Sequence, residues 1–257
     1  MDINTGGANN EKNIIITGAN RGIGLAMAEK FAENGCNVWA CARKQNVEFE
    51  AKMGELAQRS GVWIRPVYFD LTVEEEIKAG IMGIFKEKKT VHTLINNAGI
   101  HYEKLFQMYT MKEIKEMFTV NVFALLYITQ LVLKIMGRQK YGNIINIASI
   151  SGLSPYSGNI CYGSTKAAVI SLTGSLAIEA AALGDIRVNA IAPSRVDTDM
   201  IKHLPPKSLE KGLNNCVMKR LAAPSEIANV AYFLSSDEAS YINGQVIRVD
   251  GGESNGN

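Results

Sequence analysis

In "CYGSTK", residues 161–166, a tyrosine, Tyr162, stands four positions before a lysine, Lys166. On a helix that spacing stacks the two side chains on one face. A phenol beside an ammonium is a candidate proton donor. A free phenol, with a pKa near ~10, is poorly matched to neutral pH. A lysine charge roughly 5 Å away, at an effective dielectric of about 20, contributes on the order of 3 kcal/mol. That would bring the phenol about two below its ordinary pKa. Ser149 precedes Tyr162 with twelve residues between them, and could orient the oxygen that takes the proton.

A second set of residues could hold phosphates. "TGANRGIG" (17–24) follows an apolar run and opens a helical one, with glycines at Gly18, Gly22 and Gly24. Glycine tolerates positive φ and close backbone approach, and a helix N-terminus favours an anion. As the first strand–turn–helix, this stretch reads as a dinucleotide turn, spaced T-G-x-x-x-G-x-G rather than G-x-G-x-x-G. At the end of the second strand a carboxylate would normally hold ribose hydroxyls. This chain has Ala42-Arg43-Lys44 there, and Arg21 lies inside the turn. A carboxylate would repel a 2′-phosphate, whereas two arginines hold one, so the expected cofactor is NADP(H) rather than NAD(H). Asp70 could accept from the adenine amino group, with Leu71 over the ring; a helix N-cap is the other role open to Asp70. "NNAG" (96–99) suits a loop lying against a cofactor.

These residues need a scaffold. Short apolar runs at 13–17, 37–42, 62–69, 91–96, 142–148, 186–192 and 244–252 alternate with helical patterns. The helices fall from about 22, between the second and third strands, and at 73–88, 111–136, 160–182 and 225–235. That alternation predicts an α/β fold, a Rossmann-type doubly wound parallel sheet of about seven strands with helices on both faces. The C-terminal strand ends, where Ser149 and the NNAG loop fall, are where such sheets place ligands. Residues 1–12 read as a flexible extension and 13–257 as a single domain, with no internal linker or repeat.

Together these motifs resemble the short-chain dehydrogenase/reductase family over almost the whole chain. Thr17–Gly24 resembles its cofactor turn, Asn96–Gly99 its NNAG loop, and Asn121, Ser149, Tyr162 and Lys166 its catalytic tetrad. The resemblance implies NADPH-dependent reduction of a ketone. Tyr162 would donate the proton, Lys166 would also hold the nicotinamide ribose, and Asn121 would hold a water in the relay to Lys166. It further implies cofactor contacts at Gly18, Asn20, Arg21, Gly22, Ile23, Gly24, Arg43, Asp70, Leu71, Asn97, Ala98, Gly99, Tyr162, Lys166, Pro193, Val196 and Thr198. The family commonly has Pro-Gly after the sixth strand; here it is Pro193-Ser194.

The tail 219–252 resembles the 3-oxoacyl-[acyl-carrier-protein] reductase branch, implying an acyl-thioester carbonyl, with acyl carrier protein as a candidate partner. One departure stands against it. Leu183 replaces an expected arginine in "GSLAIEAAALG" (174–184), leaving Lys140 and nearby Arg138 to meet an acidic carrier. A reductase of a free small carbonyl (a sugar, a polyol or a secondary-metabolite intermediate) is the alternative, and a non-catalytic NADPH sensor a remote one. Segment 199–218, with Met200, Ile201 and Leu204, is expected to form a substrate lid. His101 and Tyr102, just after NNAG, read as ordinary loop residues that could also line the pocket, and Cys161 as a core or subunit contact. Helices 111–136 and 160–182 match those that family members pair in tetramers, so a homotetramer or dimer is expected.

Bulk properties agree with a globular protein. Of 257 residues 47% are apolar, the net charge is +2, and neither a basic run for nucleic acid nor a polybasic membrane patch exists. The polar start "MDINTGGANNEKN" has no signal-peptide core, and no apolar stretch reads as long enough to span a bilayer. Four scattered cysteines and three histidines carry no metal-ligand spacing. The expected setting is the cytoplasm, with reduced thiols.

Overall fold

The computed structural model describes residues 12–201 and 206–253. The expected flexible extension therefore lies outside the described residues except for Lys12, as does Leu204 of the expected lid.

Seven parallel strands form one sheet in the order β3-β2-β1-β4-β5-β6-β7. They are β1 Asn13–Thr17, β2 Asn37–Ala42, β3 Ile64–Tyr68, β4 Thr93–Asn96, β5 Tyr141–Ile147, β6 Asp185–Pro193 and β7 Val246–Val249. The order reverses between β1 and β4, and an open parallel sheet leaves a ligand crevice at that switch. Apolar side chains alternate between the faces. Ile14, Ile16 and Val38 pack with Met27, Phe31, Phe49, Ile227 and Ala231. Ile15, Trp39 and Leu94 pack with Ile77, Ile81, Ile128 and Met136 on the other side. Helices α1 (Gly22–Glu33), α2 (Val47–Ser60) and α8 (Pro224–Ser235) therefore cover one face. Helices α3 (Glu74–Lys86), α5 (Ala124–Gln139) and α6 (Ile160–Ala181) cover the other. Fully covered faces explain why the strands read as near-continuous apolar runs.

Two expectations need correction. The single helix at 111–136 is α4 (Met111–Phe118), a π-helical turn (Thr119–Phe123) and α5. The turn's extra residue re-aims Asn121 inward, as π-bulges at functional sites do. Second, the run Met111–Gln139 is long and apolar enough to cross a membrane, against the expectation that no stretch would be. Its apolar side chains are spent on the sheet: Ile128, Val132 and Met136 are buried in the second core. The stretch 244–252, read as the final strand and turn, is the strand β7 bounded by Gly244, Gly251 and Gly252, whose positive φ turns the chain at both ends.

Candidate active site

The phosphate turn is shaped by what its glycines leave out. Gly18 and Gly22 adopt φ of +66° and +54°, open to glycine at little cost. A Cβ on Gly24 would stand 2.1 Å from the Gly18 carbonyl oxygen, so only glycine lets α1 start this close to β1. The NNAG loop closes on the same turn. Asn97 Nδ2 donates to the Thr17 carbonyl at 2.9 Å, and the N–H groups of Asn97 and Ala98 donate to Thr17 Oγ1 at 3.0 and 3.1 Å. Asn96 plays a different part: buried, it bridges Asn146 of β5 and Thr129 of α5, tying the sheet end to its cover.

All the expected cofactor contacts line one groove that runs from this turn to Tyr162 and Lys166, and Ser149 lines it too. Within it Arg43 Nε donates to Asp70 Oδ2 at 2.7 Å, with the arginine side chain 64% exposed. Burial alone would raise the Asp70 carboxyl, but the N–H and O–H of Thr72 and the Arg43 guanidinium hold it below its ordinary value. Asp70 is not the cap of α3, whose N-cap residue is Val73; it fixes the turn ahead of it. Glu116 of α4 and Val120 of the π turn also line the groove, and neither stood out in the sequence.

At the chemical end two glycines bring Ser149 to Tyr162. The turn after β5 lies directly on α6. A Cβ on Gly152 would be 2.6 Å from the Lys166 backbone, and one on Gly163 would be 2.8 Å from the Ser151 carbonyl. Gly163 is the middle of the opening hexapeptide, so that stretch carries a packing signal beside its chemical pair. The Ser149 side chain hydrogen-bonds the Tyr162 phenol and also accepts from Ser151 N–H at 3.1 Å. Lys166 Nζ lies 5.7 Å from the Tyr162 ring centre and donates to the Ile147 carbonyl at 2.7 Å. Asn121 does not line the groove but stands behind it. Its amide pairs with both backbone groups of Ile100 at 2.9 Å and donates to Thr165 Oγ1 at 3.1 Å. It thereby fixes the loop just past Gly99.

The phenol's acidity departs from expectation. Burial pushes Tyr162 well above its ordinary value, the nearby Tyr156 adds to this, and only the Ser149 bond opposes it. Burial also lowers the Lys166 ammonium to about 8. Each shift comes first from burial, which disfavours the charged form of either group. His101, one of the loop residues that could line the pocket, reaches the phenol. Its ring lies 4.4 Å, centre to centre, from that of Tyr162, and its Nε2 meets Asn159 Oδ1 at 3.2 Å. Burial lowers its pKa, favouring the neutral ring. Cys161 is buried, in keeping with a core contact. Among the described residues no group of His, Cys, Asp or Glu forms a metal site.

Comparison with known proteins agrees with this geometry. A family model described as enoyl-(acyl carrier protein) reductase matches residues 18–254. A 3-oxoacyl-[acyl-carrier-protein] reductase from Aquifex aeolicus is 37% identical over 238 residues, 93% of this chain and 95% of that one. A 7alpha-hydroxysteroid dehydrogenase from Bacteroides fragilis is 35% identical over 247 residues, 94% of this chain and 93% of that one. The crystal structure of a 3-oxoacyl-[acyl-carrier protein] reductase from Brucella melitensis superimposes with a TM-score of 0.85 at 30% identity, covering 94% of this chain and 91% of that one. With a glycine turn, an NNAG loop and a Ser–Tyr–Lys cluster along one groove, this chain belongs to the short-chain dehydrogenase/reductase family, as an oxidoreductase acting on CH–OH or C=O groups.

Proposed function

We propose that the protein reduces a ketone to a secondary alcohol with NADPH, on a substrate of the 3-oxoacyl-thioester type. The observation that carries this reading is the convergence of Tyr162, Ser149 and Lys166 at the end of the cofactor groove. When bound, the nicotinamide supplies the hydride. Ser149 orients the carbonyl oxygen, and the Tyr162 phenol gives that oxygen its proton as the C–O double bond becomes single. A phenol kept protonated by burial is the form this direction consumes. Lys166, charged at neutral pH with its pKa about 8, holds the nicotinamide ribose and stabilises the phenolate left behind. Asn121 holds the Ile100 backbone in the place from which a relay to Lys166 would start.

For NADP(H) over NAD(H), the support is Arg43 and Arg21 at the groove's adenosine end, with Asp70 already neutralised by Arg43. Residues 13–257 act as one domain on this reading, in the cytoplasm. Association into a tetramer or dimer would use α4, the π turn, α5 and α6, along which Met111, Phe123 and Ile178 are exposed. An acyl carrier protein is the partner implied by the carrier-protein reductases. A free small carbonyl is the second reading, and one contact favours it. Leu183, in the expected arginine's place, packs on Gly137, and Lys140 Nζ donates to the Leu183 carbonyl, which draws that lysine back from a partner.

The test is NADPH oxidation with an acetoacetyl thioester on carrier protein, the free thioester, and a panel of ketoses. Tyr162→Phe should lower kcat by roughly 10²–10⁴-fold while NADPH still binds. NADPH binding without reduction of any carbonyl in the panel would leave only a cofactor sensor.

A further inference from the structure

The exchange of the usual Pro-Gly for Pro193-Ser194 has a partner far along the chain. Ser194 Oγ donates to Glu253 Oε2, and Arg195 Nη1 donates to Glu253 Oε1 at 2.7 Å. Both oxygens of one carboxylate are thus engaged by consecutive residues at the exit of β6. These are not solvated surface charges: the arginine and glutamate side chains keep 16% and 11% of their exposure. Charge-assisted bonds at that depth are strong, and removing one partner leaves the other buried and uncompensated.

The turn that carries Glu253 is built to reach this point. Gly251 and Gly252 take φ of +59° and +74°, and Gly252 N–H donates to Asp250 Oδ1 at 3.1 Å. Arg248 Nη2 donates to the Glu253 carbonyl at 2.9 Å, fixing the residue's backbone. On its far side the turn receives Met218 N–H and Cys216 Sγ at the Gly251 carbonyl, at 3.1 and 3.3 Å. A Cβ on Gly212 of α7 (Pro206–Asn215) would stand 1.9 Å from Arg195 Cζ, so that helix crosses the guanidinium at its one glycine.

Residues 194–198 run from this junction into the groove. Pro193, Ser194, Val196 and Thr198 all line it, and the Thr198 methyl faces Gly22 of the phosphate turn, 3.1 Å from where a Cβ would stand. Backbone bonds hold the loop along one side, from Ala222 N–H to the Arg195 carbonyl at 3.0 Å and from Asp197 N–H to the Ala222 carbonyl at 2.9 Å. The side chains that hold its entry are those meeting Glu253.

We propose that Glu253 is a positioning residue for the nicotinamide half of the cofactor site. Through Ser194 and Arg195 it sets the loop that presents Val196 and Thr198 to the ring. The proposal rests on reading that loop as the nicotinamide contact.

The experiment measures equilibrium binding by calorimetry of NADPH and of adenosine 2′,5′-bisphosphate, which keeps the adenosine end and lacks the nicotinamide. Glu253→Ala should weaken NADPH by about tenfold, the equivalent of ~1.4 kcal/mol, and leave the bisphosphate unchanged. The NADPH KM should rise more than kcat falls. A Ser194→Gly, Arg195→Met double variant should show the same selective loss, with Glu253→Ala adding nothing further in that background. Glu253→Gln, which keeps an acceptor for Ser194, should fall between. Thr198→Ala serves as the reference for the loop itself. If Thr198→Ala weakens NADPH selectively while Glu253→Ala does not, the positioning role is overturned and the loop's reading stands. If neither change is selective for NADPH, the loop's reading fails and takes the proposal with it. Equal weakening of both ligands by Glu253→Ala marks a general structural role and also overturns it.

Discussion

At the scale of single residues, the decisive correction is to the phenol. A point-charge estimate between Tyr162 and Lys166 omits the cost of taking both groups out of water. That cost is the first cause of both shifts here, upward for the phenol and downward for the ammonium. Arg43 shows the converse. Being largely exposed, it keeps a strand-end role that the sequence already suggested, and its bond to Asp70 adds only the detail of a partner. Arg43→Asp would remove the cation expected at the 2′-phosphate and set a carboxylate beside Asp70. The ratio of kcat/KM for NADPH over NADH should fall by roughly 10–100-fold, the worth of a charged hydrogen bond of ~1.5–3 kcal/mol. An unchanged ratio in steady-state assays with both cofactors would refute the role given to Arg43. His101 could not have been found by spacing, because its contact with Tyr162 joins the β4 loop to α6, 61 positions apart by subtraction (162 − 101 = 61).

At the scale of elements, close approach between backbones explains which glycines matter. Gly24→Ala would push a methyl into the Gly18 carbonyl, a backbone atom that cannot step aside. It should cost about 1–3 kcal/mol of stability, as overpacking does, and weaken NADPH binding at least as strongly. Thermal melts and calorimetry check both. Gly54, inside α2 with nothing within 4 Å of its missing Cβ, is the control. Gly54→Ala should be neutral or stabilising by up to ~1 kcal/mol, so a loss there would show that helix packing has been misread. The π turn at Thr119–Phe123 belongs to this scale too. Its inward-facing Asn121 sits in an unbroken apolar run, and hydropathy alone has no term for one extra residue per turn.

At the scale of the whole molecule, a buried cluster at the opposite end of the sheet from the groove sets acid stability. His92, just before β4, meets Tyr141 Oη through Nε2 and Thr93 Oγ1 through Nδ1, both at 2.8 Å. Burial, then the charge of Lys12, lowers its pKa from 6.5 to about 4, with Asp237 opposing and Arg187 assisting. The unfolded chain therefore takes up a proton that the folded one refuses as pH falls from about 6.5 to about 4. Stability is retained above that window and lost through it, by about 3 kcal/mol in all. Urea midpoints at pH 7 and pH 5 should differ accordingly, and His92→Gln should flatten the difference; a slope indifferent to His92 would assign acid sensitivity elsewhere.

Across these scales, the sequence by itself determined the sheet, its parallel strands, the glycine turn and the identities of Ser149, Tyr162 and Lys166. Those follow from period, β-branched runs and fixed spacings, all of which act over a few residues. Only the tertiary structure decided the acidity of Tyr162, the contact with His101, the inward turn of Asn121 and the grip of Glu253 on Ser194 and Arg195. Each of these depends on desolvation or on a meeting of distant segments. Neither quantity exists until the chain has closed on itself.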